Sequence, residues 1–146
     1  MRFSEGSSRR YATEAFQIGI YLLCATITWR YPAGLEGTEF SGGWLTGRLL
    51  HASEVGSLLF VVALALTFPF GRLAAGVALA AALVCLPLYL YIVAPGPFRR
   101  IAGGEYSVPL QASFVWDPWA ISAICLLAVA ATVSIYGLFA GKAQPA

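Results

Sequence analysis

The chain reads as an all-α integral membrane protein, a four-transmembrane-helix bundle with two extramembrane loops on one face. Two observations predict this. Four long apolar runs fill most of the 146 residues, and nearly every charge lies between or outside them. Charged residues make up only 11% of the chain, against about 25% in an ordinary soluble domain. So few charges would leave a water-facing surface largely uncovered.

A membrane helix needs about 20 mostly apolar residues to cross a hydrocarbon core of roughly 30 Å. The stretches 11–29, 49–68, 73–94 and 118–139 are the candidates, in one membrane domain covering 1–146. Arg2, Arg9 and Arg10 precede the first stretch, as basic residues precede a signal peptide. No small-x-small cleavage site follows it, and it ends in Trp29-Arg30-Tyr31-Pro32. It is therefore read as a retained span. It carries Glu14 and Gln17 near its start, and the second stretch carries His51 and Glu54 near its own.

The third and fourth stretches are nearly free of polar side chains. Pro87 removes a backbone donor inside the third and predicts a kink that neighbouring helices tolerate. Ala74, Ala78 and Ala82 recur every four residues there, with Gly76 and Ala80 beside them; Ala130 and Ser134 repeat the pattern on the fourth. Small residues at this spacing let helix backbones approach closely. Asp117-Pro118 marks the start of the fourth helix. The aspartate caps free N–H groups, and a proline at the first helical position loses no hydrogen bond.

The link between the second and third stretches is short, so one membrane face carries both termini and a tight turn. The other face carries two outer loops, 30–48 and 95–117. Lys and Arg number five on the tight face (Arg2, Arg9, Arg10, Arg72, Lys142) and four on the loop face (Arg30, Arg48, Arg99, Arg100). The positive-inside rule then puts both termini in the cytoplasm. Eight arginines, one lysine and no asparagine fit a GC-rich bacterial genome, hence a bacterial cytoplasmic (inner) membrane.

Aromatic residues are uneven between the faces. Trp29, Trp44, Trp116 and Trp119 all belong to the loop face, with Tyr31, Tyr89, Tyr91 and Tyr106 expected beside them at headgroup level. Tyr11, Phe68, Phe70, Tyr136 and Phe139 mark the opposite face.

The first loop holds Gly34, Gly37, Gly42, Gly43 and Gly47, with no phosphate-binding G-x-x-x-x-G-K-[ST] among them. It reads as an irregular surface loop. The second reads Y-S-V-P-L-Q-A-S-F-V-W over 106–116, an apolar residue at every second position. That is the pattern of an extended strand with one buried face, and Pro109 restricts it to an edge. A lone strand is unstable in water. Trp44, Tyr106, Phe114, Trp116 and Trp119 are therefore the expected contact residues for a partner or for the chain's own bundle.

The polar cluster of the second stretch is the other point of interest. Thr46 is placed to cap a helix running through Arg48, His51, Glu54 and Ser57. His51, the only histidine, and Glu54 are close enough to touch on a helix. Ionisable residues at membrane depth are costly and mark functional sites by default.

Four readings compete for this cluster. It is an interfacial polar collar, an axial ligand for haem or chlorin, a proton or quinone site at Glu54, or half of a metal site. The haem reading follows from imidazole as an axial ligand oriented by a carboxylate. The metal reading needs more oxygens, from Glu36, Glu39, Glu105 or Asp117.

Cys24, Cys85 and Cys125 each lie inside an apolar run and form no C-x-x-C pair, so they read as small hydrophobes. No G-x-S-x-G supports a serine triad, and no basic aromatic-interleaved patch supports nucleic acid as a partner.

The expectation is a small non-catalytic membrane subunit of a larger complex, with a respiratory or photosynthetic electron-transfer assembly as the leading class. Its expected partners are the lipid bilayer and membrane proteins or further copies of itself. The alternatives are a haem-, chlorin- or quinone-binding protein centred on His51 and Glu54, and a small transporter or membrane enzyme using Glu54.

Overall fold

A computed structural model describes residues 4–35, 44–94 and 116–140, with side chains over 11–31, 44–94 and 116–139. The strand expected over 106–116, with Tyr106 and Phe114, lies outside the described residues except Trp116.

Four helices form: α1 (Ser4–Leu35), α2 (Trp44–Leu66), α3 (Gly71–Val93) and α4 (Pro118–Ala140). Each packs on its chain neighbour, and α1 also packs on α4, so the four close into a ring. The α2–α3 and α3–α4 seams are the most extensive and the α1–α4 seam is the least. Among the described residues α2, α3 and residues 118–139 of α4 are long and apolar enough to cross a membrane. The chain is a multi-pass membrane protein.

The inward faces follow a three-four spacing. On α3, Ala74, Ala78, Ala81, Cys85, Leu88 and Ile92 are buried; on α4, Ala120, Ala123, Leu127, Ala130 and Ser134. This is the seam of coiled-coil-like bundles, where each side chain inserts between four of the facing helix. Most of the α3 and α4 seam is alanine, so the backbones come close and dispersion holds them. Ala82 is buried as its spacing predicts, whereas Ala80 is exposed.

α2 and α3 approach closely at Gly56. A Cβ built on Gly56 would collide with Cys85 Sγ and come within 3.1 Å of the Ala81 carbonyl oxygen. Glycine is required there for lack of space.

α1 differs from its neighbours. It has 32 residues, about 48 Å of helix at ~1.5 Å per residue, longer than the other three. Its inward face is polar: Tyr21, Cys24 and Thr28 are buried, while Phe16, Leu22, Leu23 and Trp29 are exposed. The Thr28 hydroxyl bonds back to the Cys24 carbonyl of its own helix, while other groups of this face are bonded across the bundle. Tyr21 Oη and Ser134 Oγ lie 3.0 Å apart. Ser57 Oγ donates to the Ala25 carbonyl at 2.9 Å, and Tyr89 Oη to the Ile27 carbonyl at 3.4 Å.

Ser53 Oγ donates to the Thr28 carbonyl at 3.2 Å. Pro32 lies four residues after Thr28 and has no N–H, so that carbonyl loses its helical donor. The α2 hydroxyl supplies the missing one. In lipid, where no water can do so, such repair by a neighbouring helix is what makes an internal proline tolerable.

Three expectations need correction. The first outer loop does not begin at Arg30 or run to residue 48, because α1 continues to Leu35 and α2 already starts at Trp44. Thr46 therefore lies within α2 and does not cap it; its Oγ1 sits 3.3 Å from Tyr91 Oη, buried between α2 and α3. Tyr89 and Tyr91 are buried rather than part of an interfacial belt, since each phenol finds a polar partner inside the bundle.

Gly56 and Gly76 separate two roles of glycine. A Cβ on Gly76 would meet only Leu138 Cδ2, at 3.9 Å. Gly56→Ala is expected to lose about 1–3 kcal/mol through overpacking. Gly76→Ala is expected to hold or gain stability, since a helical glycine costs about 0.5–1 kcal/mol relative to alanine. Thermal unfolding in mild detergent measures both, and Cys85→Ala should recover part of the Gly56→Ala loss.

Candidate functional site

Two polar regions lie at the end of the bundle where α1 and α3 finish and α2 and α4 begin. The first is the outward face of α2. His51 Nδ1 and Glu54 Oε2 lie 3.1 Å apart, one helical turn apart in sequence. Their side chains are 82% and 38% exposed, so neither is a core residue. When Nδ1–H donates to the carboxylate, Nε2 is left with its lone pair pointing away from the pair.

Arg48 lies one turn nearer the helix start, its guanidinium 5.8 Å from the Trp44 ring centre, within cation–π range. Below His51 the exposed face turns wholly apolar, with Val55, Leu58 and Val62.

Among the described residues no three of His, Cys, Asp and Glu gather where they could hold a metal ion. Glu36, Glu39 and Glu105 lie outside the described residues. Asp117 belongs to a different corner. Its Oδ1 accepts from the backbone N–H of Trp119 at 2.9 Å and of Ala120 at 3.2 Å, the cap expected of an Asp-Pro pair. Its Oδ2 accepts from the Tyr31 hydroxyl, which ties the end of α1 to the start of α4. The Tyr31 ring packs on Tyr89, their centres 5.6 Å apart.

The second region lies beneath that tie. A cavity of about 600 Å³ opens along the α1–α4 seam, lined by Leu23, Thr26, Ile27, Arg30, Tyr31, Trp119, Ser122 and Leu126. The seam is the least extensive in the ring, and Tyr21, Tyr31 and Cys24 bond across it. His51 and Glu54 do not line it.

Of the contact residues expected from sequence, Trp44, Trp116 and Trp119 are all exposed at this end. Only Trp119 belongs to the cavity. Thr26, Arg30 and Ser122 were not legible as site residues, because the cavity joins two helices some 90 residues apart in sequence. The one local signal was Arg30, a cation directly after the apolar stretch.

Compared with protein-family models, curated proteins and solved structures, the chain matches none.

The tie at Asp117 is testable by subtraction. Tyr31→Phe removes one bond to a charged acceptor, a loss of about 1.5–3 kcal/mol at most. Asp117→Ala removes that bond and the cap, worth about a further 1 kcal/mol. Asp117→Ala is thus expected to lower the detergent unfolding midpoint more than Tyr31→Phe. In the Asp117→Ala background Tyr31→Phe should have little further effect.

Proposed function

We propose that the chain is a small membrane subunit that crosses the bilayer four times and docks on another membrane protein through the outward face of α2. The observation that carries this is the exposed His51–Glu54 pair within an apolar helix. An ionised group facing lipid at the centre of a helix costs about 2.5–3.5 kcal/mol on insertion scales, less toward the ends. A protein surface with complementary polar groups removes that penalty. The apolar residues below, Val55, Leu58 and Val62, continue the same face at three-four spacing, as a helix-packing seam requires.

α1 is the fourth span in this reading. Phe16, Leu22, Leu23 and Trp29 face outward while Tyr21 and Thr28 face inward, the reverse of a helix lying on water. The loop face is then the outer one, with both termini in the cytoplasm of a bacterial cell. A respiratory or photosynthetic electron-transfer assembly is the first class of complex to examine.

A second reading rests on the outward Nε2 of His51. With Nδ1 held by Glu54, the ring is oriented as axial imidazole ligands are. A haem or chlorin held there would sit between this chain and its partner. An absorption band lost in His51→Ala in the purified complex would carry that reading.

Photo-cross-linking in the native membrane tests the docking. A photoreactive residue at Leu58 or Val55 is expected to give one discrete protein adduct, its mass distinguishing a second copy from another chain. The same residue at Leu83, exposed on α3, is expected to label lipid. Lipid labelling alone at all three positions would refute the docking face.

A further inference from the structure

We propose that the α1–α4 cavity holds one phospholipid with an anionic headgroup, the phosphate at Arg30 and an acyl chain along Leu23, Ile27 and Leu126. The lining is graded along the bundle axis. Arg30, Tyr31 and Trp119 form the end nearer the membrane surface. Leu23 and Leu126 lie seven residues from Arg30 and Trp119 respectively, about 10 Å deeper at ~1.5 Å per residue. The site is therefore polar at one end and apolar at the other, the shape of a lipid rather than of a compact solute. Its volume of about 600 Å³ is within the range of small-molecule sites, about 300–1,000 Å³.

The polar chemistry of the lining selects the headgroup. Thr26 Oγ1 donates to the Leu22 carbonyl at 2.8 Å and Ser122 Oγ to the Pro118 carbonyl at 2.7 Å, so both protons are engaged within their own helices. The Tyr31 proton is engaged by Asp117. Among the described residues, the donors left for a ligand are the Arg30 guanidinium and the Trp119 indole N–H. Both are exposed, and Arg30 forms no ion pair there.

A guanidinium offers paired N–H groups that match a phosphate. Asp117 is bonded to Tyr31, the residue after Arg30. Its oxygens accept from two backbone N–H groups and the Tyr31 hydroxyl, and it sits at the positive end of α4, which offsets its charge. A neutral quinone would leave the arginine unanswered.

The inference rests on α1 crossing the membrane beside α4, and the test separates the two. The full chain is reconstituted with Trp119 as its only tryptophan, the exposed Trp29, Trp44 and Trp116 being replaced by phenylalanine. Vesicles of phosphatidylcholine receive a small fraction of phosphatidylglycerol or phosphatidylcholine brominated on the acyl chain, which quenches nearby indoles. Brominated phosphatidylglycerol is expected to quench Trp119 at about fivefold lower mole fraction, the preference one arginine gives for an anionic lipid.

Arg30→Gln should abolish the preference, and Ser122→Phe, which fills the groove, should reduce quenching by both lipids. Equal quenching by the two lipids, or a preference that survives Arg30→Gln, overturns the lipid site. Displacement of the quenching by a neutral quinone in Arg30→Gln as well as in the parent chain overturns it in favour of a quinone. A second version that keeps only Trp29, on α1, reports the span itself. If neither lipid quenches Trp29, the α1 span fails and the lipid site fails with it. If Trp29 is quenched and Trp119 shows no preference, the lipid site alone fails.

Discussion

The bundle depends on how α1 disposes of its polar groups. Three of the helices qualify as membrane spans by composition alone, and α1 does not. Besides its share of the apolar core, α1 is held by hydrogen bonds from the other helices to its own carbonyls and hydroxyls. Ser57 and Ser53 reach Ala25 and Thr28 from α2, Tyr89 reaches Ile27 from α3, and Ser134 meets Tyr21 from α4. The Ser53 bond is the most constrained. Pro32 frees the Thr28 carbonyl, and a buried carbonyl without a donor costs about 1–3 kcal/mol. A serine at position 53 is thus tied to a proline on another helix.

This polar seam explains the rest of the layout. α1 packs less extensively on α4 than α3 does. The gap left toward its outer end is the cavity, with Tyr31, bonded to Asp117, in its lining. On the far side, α2 turns its serines and Thr46 inward toward α1 and α3, which leaves His51 and Glu54 on the outside. The two candidate sites are therefore consequences of the same helix orientation.

Much of the fold was legible in the sequence. The apolar runs locate α2, α3 and α4, and Asp117-Pro118 marks the first turn of α4, because apolar length and cap chemistry are local. The C-terminal end of α1 was not legible, since it continues past Pro32, where Ser53 of another helix donates to the carbonyl the proline leaves free. The inward turn of Tyr89 and Tyr91 was not legible either. A tyrosine near a span end serves equally in an interfacial belt or in a buried bond, and only the facing helix decides. The site was half legible. A lone histidine three residues from a glutamate is visible as a string, but its exposure is a property of the assembled ring, as is the gathering of Leu23, Arg30 and Trp119.

The central claim is that α1 crosses the membrane as the fourth span although it is the least apolar helix. Span number and termini are linked, since four crossings return the chain to its starting side and three do not. The most direct measurement is a pair of fusions, at the N-terminus and at the C-terminus, to a reporter active only in the cytoplasm and another active only outside it. The account predicts cytoplasmic activity at both ends, and termini on opposite sides of the membrane would contradict it.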